Sequence, residues 1–190
     1  MDITRLLKVG LFLAALVIAW LIYESIADPI RFEEEKNRRY EQVIRRLKDI
    51  RTMELAYKSV KGKYTDQCDS LIRFLREEKF MVIRKIGDAE DSAAVLVRDT
   101  IMVPVQDSLM KVFEPGFKID SACYIPFGDG ARFRLAAGEI EKGKVTVKVF
   151  EAYAGNDIIF RDMDIKNYLK LDQGLKVGSM TEPSTSGNWE

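Results

Sequence analysis

The chain has 190 residues, which suits one domain with appendages, and its 30 Lys and Arg residues balance 30 Asp and Glu residues. A net charge of zero gives no general reason to expect nucleic acid as a partner, and none is predicted. The absence of histidine excludes catalytic triads that pass a proton through an imidazole, and two cysteines cannot form a metal site with four cysteine ligands. The composition therefore favours a protein that is not an enzyme and holds no cofactor.

An apolar segment lies near the start of the chain. Within residues 6–23 only Lys8 is charged, and this segment would span about 27 Å as a helix, close to the roughly 30 Å hydrocarbon core of a bilayer. Lys8 can extend its ammonium group to the lipid headgroups, while Trp20 and Tyr23 lie at the other end, where interfacial aromatic residues are common. We predict a transmembrane helix over residues 9–27, with these three residues as interface anchors and the lipid bilayer as a partner.

The flanking charges predict an orientation. Arg5 and Lys8 precede the segment, whereas the first charges after it are Glu24 and Asp28. Positive residues concentrate on the cytoplasmic side of single spans, so residues 1–8 are predicted to be cytoplasmic. The main domain would then lie outside the cytoplasm, on the periplasmic side of a bacterial inner membrane.

A cleaved signal peptide is an alternative interpretation of the same segment. Ser25-Ile26-Ala27 places small residues at the two positions that a signal peptidase recognises. Cleavage there would release a soluble periplasmic domain that begins at Asp28.

Residues 28–62 predict a long amphipathic helix that ends at Gly62. Residues 31–63 carry eleven Lys and Arg against six Asp and Glu, which we interpret as a solvated face rather than a nucleic-acid site. The apolar stripe can pack on the chain's own sheet, or on another helix as a short coiled coil that supports self-association or binding of protein partners. Both uses stay open at this stage. The apolar side chains recur at steps of three and four: Tyr40, Val43, Ile44, Leu47, Ile50, Met53, Tyr57 and Val60.

Residues 63–171 predict a small α+β domain. Thr65 or Asp66 is expected to cap a short helix with Cys68, Leu71, Ile72 and Leu75 on one side. Residues 164–171 are predicted as either a helix or a strand, and residues 172–190, rich in Gly, Ser, Thr and Pro, as a flexible tail. The fold class is therefore α+β: a transmembrane helix that continues into an amphipathic helix packed on a small, mostly antiparallel sheet. Short β-type runs separated by turns are expected at 80–83, 94–97, 101–105, 121–127, 131–137, 144–150 and 158–160.

The candidate chemistry is sparse. Cys68 and Cys123 could form a disulfide outside the cytoplasm, but two buried free thiols fit the sequence equally well. The spacing of Asp162-Met163-Asp164 occurs in metal sites, and so does that of Asp66 and Asp69, but a surface turn and a helix cap explain them without a metal. No catalytic, cofactor-binding or metal-binding residue is predicted.

One stretch resembles a known family. Residues Ile50–Leu75 are similar to the end of the long helix in type IV pilins and type II secretion pseudopilins, where a Gly-Lys-Tyr step, here Gly62-Lys63-Tyr64, precedes a segment containing Leu71. The resemblance implies a pilin-like fold and a structural role in a filament or secretion assembly. The chain departs from the family pattern at the processing site, because Leu11 follows Gly10 and Ala15 stands where the family has Glu.

A second resemblance concerns the C-terminus. Residues Gly174–Ser179 together with Gly187–Glu190 are similar to the ending of a family of membrane-anchored proteins from Bacteroidota, which implies an anchored protein and no particular activity. Our first hypothesis is a non-enzymatic, membrane-anchored structural or assembly subunit of the cell envelope. An inner-membrane assembly-platform protein of a secretion or pilus system is the alternative from a different class, beside the soluble periplasmic binding domain.

Overall fold

The computed structural model describes residues 3–86, 97–113, 116–166 and 168–190. A two-stranded antiparallel sheet, β1-β2, and a three-stranded antiparallel sheet, β3-β4-β5, accompany the helices, so the chain is α+β as predicted. It divides into two compact units, Met1–Glu41 and Gln42–Glu190. In chain order the elements are α1 (Ile3–Lys61), α2 (Cys68–Glu77), β1 (Lys79–Ile86), β2 (Val97–Pro104), α3 (Val105–Leu109), β3 (Arg134–Lys142), β4 (Val145–Gly155), α4 (Asn156–Ile159) and β5 (Gly174–Gly178).

The first helix is continuous. Pro29 lies inside α1, so the predicted boundary at residue 28 is not a break in the helix. The helix ends at Lys61, and the N–H of Gly62 donates to the carbonyl of Lys58 at 2.8 Å with φ at +74°. A left-handed residue directly after a helix is most often glycine, because glycine lacks the Cβ that makes this conformation costly. The prediction that Gly62 ends the helix is confirmed.

The apolar stripe of α1 forms part of the core of the Gln42–Glu190 unit. Val43, Leu47, Ile50 and Met53 have no exposed surface. The sequence left open whether the stripe packs within its own chain or on another helix. These four residues pack within the chain's own domain. Residues 42–61 therefore belong to the domain, which starts well before the predicted boundary at residue 63. Other buried residues of this unit include Leu71, Phe74, Leu75, Phe150, Ala152, Phe160 and Val177.

The regular strands follow the sequence pattern closely. β1 contains the predicted run at 80–83, β2 contains residues 101–104 of the run predicted at 101–105, and most of the run predicted at 94–97 lies outside the described residues. β3 continues to Lys142, and the chain turns at Gly143 and Lys144, whose φ angles are +58° and +67°. Two successive positive φ angles match the turn type that joins twisted antiparallel strands.

The sequence also predicts that the runs at 121–127 and 131–137 pair as a hairpin around Gly128-Asp129-Gly130, and the structure has only a fragment of this pairing. Among the described residues, this region has one isolated bridge, between Tyr124 and Arg132, and β3 begins only at Arg134. Pro126 has no backbone N–H to offer a strand ladder, and Phe127 and Asp129 have positive φ angles of 65° and 49°. The backbone therefore curls at a position where the side-chain pattern alone suggested extension.

Two segments near the end of the domain also differ from prediction. Asn156–Ile159 forms a single helical turn, α4, where a strand was expected at 158–160. The described residues of 164–171 form turns and irregular backbone rather than a helix or strand. The buried side chain of Asn156 donates from Nδ2 to the carbonyl of Lys170 at 3.0 Å, which fixes the two ends of this loop together.

The predicted flexible tail is also wrong, because it contains an ordered strand. Gly174–Gly178 forms β5, which pairs with β4 and buries Leu175 and Val177. The chain then turns back, and Ser186 and Asn188 hydrogen-bond to the backbone of β5. At the end of the chain, Glu190 receives a hydrogen bond from Arg51 of α1 at 2.8 Å. The small and polar residues from which we predicted a flexible tail form the turn that connects β5 to the C-terminal segment beside it.

Candidate functional site

The N-terminal part of α1 carries an apolar surface that the protein does not cover. An 18-residue window of this helix has a mean hydropathy of 2.1, and none of it is buried. Leu11, Phe12 and Val17 each expose more than half of their surface. The helix is therefore long and apolar enough to cross a membrane, and its exposure distinguishes it from a core helix of a globular protein.

The predicted interface residues lie on this same helix. Trp20 and Tyr23 are exposed and three residues apart, so they neighbour each other on one side of α1. Lys8 is also exposed and lies twelve residues before Trp20, about 18 Å along the axis. The helix thus separates the charged residue from the two aromatic residues, as the prediction requires, and their role as anchors stays a prediction.

Cys68 and Cys123 are joined by a disulfide bond. Cys68 is the first residue of α2, and Cys123 precedes the curled segment that leads to β3. Both cysteines are buried, and their Cα atoms are 6.1 Å apart. Of the two states that the sequence left open, the structure therefore has the bonded one.

The start of α2 differs from the predicted cap. Gln67 is the capping residue and makes no side-chain capping hydrogen bond. Instead, Oγ1 of Thr65 accepts a hydrogen bond from the Gln67 N–H at 3.2 Å, which shapes the connection before the helix. Capping by Thr65 or Asp66 was therefore the wrong prediction.

Sequence reasoning missed a buried carboxyl group at Glu54. Its side chain has no exposed surface, Oε2 accepts a hydrogen bond from the Thr65 N–H at 3.1 Å, and Oε1 has no hydrogen-bond partner. Glu54 lies four residues after Ile50 and seven after Leu47, the spacing of the buried stripe itself. That spacing was the available signal, because a carboxylate in line with core residues is unusual.

The environment of Glu54 favours its neutral form. Burial raises the pKa of Glu54 to about 8, the hydrogen bond from Thr65 opposes this rise, and the nearby negative charge of Asp66 adds to it. A buried carboxylate with one unpartnered oxygen is costly, whereas the protonated acid avoids that cost. Glu54 is therefore a proton-dependent link between α1 and the connection that leads to α2.

A groove of about 370 Å³ lies beside this connection. The groove is lined by residues 63–67 with Ser70, by Tyr57 of α1, and by Ala137, Gly138 and Glu139 of β3. An ion pair between Lys148 and Glu139 lies at its side. The lining is mostly polar and mixed in charge.

The described parts of the chain do not bring three metal-ligating side chains together. Asp162 is exposed and Asp164 is exposed as well, and the N–H of Lys166 donates to Oδ1 of Asp164 at 3.3 Å, a local turn contact. Asp69 forms an ion pair with Arg132 at 3.0 Å. Asp164 therefore has the local turn contact that the sequence suggested, whereas the sequence did not suggest the ion pair of Asp69 with Arg132.

Comparisons with protein-family models, with curated proteins and with solved structures found no match to this chain.

Proposed function

We propose that the protein is a non-enzymatic, single-pass subunit of an assembly in the bacterial cell envelope, anchored in the inner membrane with its α+β domain in the periplasm. The observation that carries the proposal is the uncovered apolar surface of α1. Burying one large apolar side chain is worth about 1.5–3 kcal/mol, so a dozen of them in water would cost on the order of 20 kcal/mol. A lipid bilayer removes that cost.

The disulfide supports the periplasmic side. Disulfides persist in oxidising compartments such as the bacterial periplasm and are rare in the cytosol. The bond between Cys68 and Cys123 is consistent with this side, as are Arg5 and Lys8 on the short N-terminal segment. Two independent features therefore favour the same orientation.

The order of elements favours a pilin-like subunit over an assembly-platform protein. Platform domains of the ferredoxin-like type begin with a βαβ unit, whereas α1 and α2 here both precede the first strand. A cleaved signal is disfavoured because residues 25–27 lie inside the continuous helix α1. The resemblance at Gly62-Lys63-Tyr64 supports the same choice.

Cross-linking in intact cells tests the assembly role. We expect a membrane-permeant lysine cross-linker to shift the 21.8 kDa chain into discrete larger species, because subunits of an assembly hold their neighbours at fixed distances. The species should persist when the membranes are dissolved in mild detergent before electrophoresis. A chain that stays monomeric both in cross-linked cells and in detergent would contradict the proposal.

A further inference from the structure

The two edges of the three-stranded sheet differ in whether other residues hydrogen-bond to their backbone groups. The sheet order is β3-β4-β5, so β3 and β5 are its edge strands. The edge of β5 is closed by the C-terminal return: the Ser186 carbonyl accepts from the Gly178 N–H at 2.9 Å, and Asn188 hydrogen-bonds to the backbone of Lys176 and to the carbonyl of Gly174. Covering an edge in this way prevents another strand from pairing with it.

The edge of β3 is open along its length. Lys176 and Gly178 direct their backbone groups to the C-terminal return, so Leu175 and Val177 face β4. Along a strand, successive residues direct their N–H and C=O groups to opposite sides. The registers of β5 with β4 and of β4 with β3 therefore determine which residues of β3 hydrogen-bond to β4 and which point away from it. No described residue hydrogen-bonds to the outward groups of β3. The residues whose N–H and C=O groups point away from β4 are Leu135, Ala137, Glu139 and Glu141.

The open edge borders the groove described above. Ala137, Gly138 and Glu139 line it together with the connection at 63–67 and Ser70. The centre of β3 has small side chains and no proline, so little there hinders a second backbone. A row of peptide groups without hydrogen-bond partners favours an extended polypeptide as its ligand. Only an extended backbone presents complementary N–H and C=O groups at the same spacing.

We propose that β3 binds an extended segment of a partner polypeptide, which adds to the sheet as a fourth strand along Leu135–Glu141 and fills the groove. This inference deepens the assembly role proposed above and rests on it for its biological use. Binding of the segment depends only on the Gln42–Glu190 unit. A negative result for binding would therefore leave the proposed membrane anchoring unaffected.

A lone segment fits this edge better than a second copy of β3. Residues 63–67 and Ser70 line the same groove as Ala137, Gly138 and Glu139 of β3, so the chain itself occupies part of the space that a second copy would need there. Two-fold pairing of β3 with itself, centred on Gly138, places Arg134 opposite Lys142, and pairing centred on Glu139 places that carboxylate opposite itself. Like charges directly opposite each other destabilise strand pairs.

The test uses the full chain in detergent micelles and a fluorescein-labelled decapeptide of alternating Thr and Val. We expect fluorescence anisotropy to show saturable binding that weakens about tenfold or more in Ala137→Pro, which removes an outward N–H without removing a bond to β4. Ala137→Ser, which keeps the N–H, should bind like the unsubstituted chain. The same peptide N-methylated on alternate residues should also bind about tenfold less tightly, because one of its edges cannot donate hydrogen bonds.

A second variant guards against misfolding of Ala137→Pro. Ser70→Tyr narrows the groove from the α2 wall, leaves β3 unchanged, and should also weaken peptide binding. Absence of binding by the unsubstituted chain, or binding by both variants that is as tight as that of the unsubstituted chain, would overturn the proposal. Spontaneous disulfide-linked dimers of Glu139→Cys would overturn it as well, since two-fold pairing of β3 centred there places residue 139 opposite its own copy and would assign the edge to a second chain.

Discussion

The Glu54→Gln variant is expected to lose a pH dependence of stability that the unsubstituted chain shows between about pH 4.5 and pH 8. The pKa of Glu54 is about 8 in the folded protein against an ordinary value of 4.5. Between these values the folded state holds a proton that the unfolded state has released. The free energy of unfolding therefore falls as pH rises through this window, and it is constant on either side as far as this group is concerned.

The expected fall is roughly 3–5 kcal/mol across the window, because one pKa unit corresponds to about 1.4 kcal/mol. Gln cannot ionise, and its carbonyl oxygen can still accept from the Thr65 N–H, so the variant should be flat and the more stable protein at pH 8. Urea unfolding followed by tryptophan fluorescence from pH 4 to pH 9 measures this.

Glu182→Gln is the matched control, since Glu182 is exposed and should leave the pH profile unchanged. An unsubstituted chain whose stability does not fall between pH 5 and pH 8 would contradict the account of the buried carboxyl group. So would a Glu54→Gln profile with the same slope as the unsubstituted chain.

Removal of the disulfide should produce an effect of similar size. The bond joins cysteines 55 residues apart, and cross-linking a loop of this length restricts the unfolded chain enough to contribute about 4 kcal/mol to stability. The double variant Cys68→Ala/Cys123→Ala should therefore unfold at a much lower urea concentration. Both residues are buried, so the lost sulfur packing adds to the loss.

Chemical reduction supplies the control for the disulfide. Dithiothreitol should destabilise the unsubstituted chain by an amount close to the effect of the double variant, and should leave the double variant unchanged. A reductant effect that is the same on both proteins, or a double variant as stable as the unsubstituted chain, would contradict a stabilising bond between Cys68 and Cys123.

The sequence predicted the elements whose signals are local. The apolar spacing of Val43, Leu47, Ile50 and Met53 depends only on the period of one helix, and Gly62 ends that helix through its own backbone freedom. Residues 145–150 of the run predicted at 144–150, in which apolar and polar residues alternate, lie in β4 as expected, because the period of a strand is likewise a local property. Membrane-spanning length is equally local, because it depends on the hydropathy of neighbouring residues.

The features that the sequence missed depend on contacts between distant residues. β5 is a strand because β4 and the return at Ser186 and Asn188 supply its hydrogen bonds, and its composition alone indicates a loop. Glu54 is buried because the connection at Thr65 closes over it. The pairing of Cys68 with Cys123 likewise depends on the fold, which brings residues far apart in the chain together.

Membrane extraction tests the central claim, that the N-terminal part of α1 resides in lipid. Membranes from cells that express the unsubstituted chain or a variant are washed with alkaline carbonate. The masses of the chains in the pellet and in the wash are then measured by mass spectrometry. We expect the unsubstituted chain and the control Leu13→Ile/Val17→Ile to stay in the pellet at 21.8 kDa. Leu13→Arg/Val17→Arg should leave the membrane, since each arginine costs about 2.5–3.5 kcal/mol at the centre of a span. An unsubstituted chain recovered in the soluble wash with Asp28 as its first residue would contradict the claim.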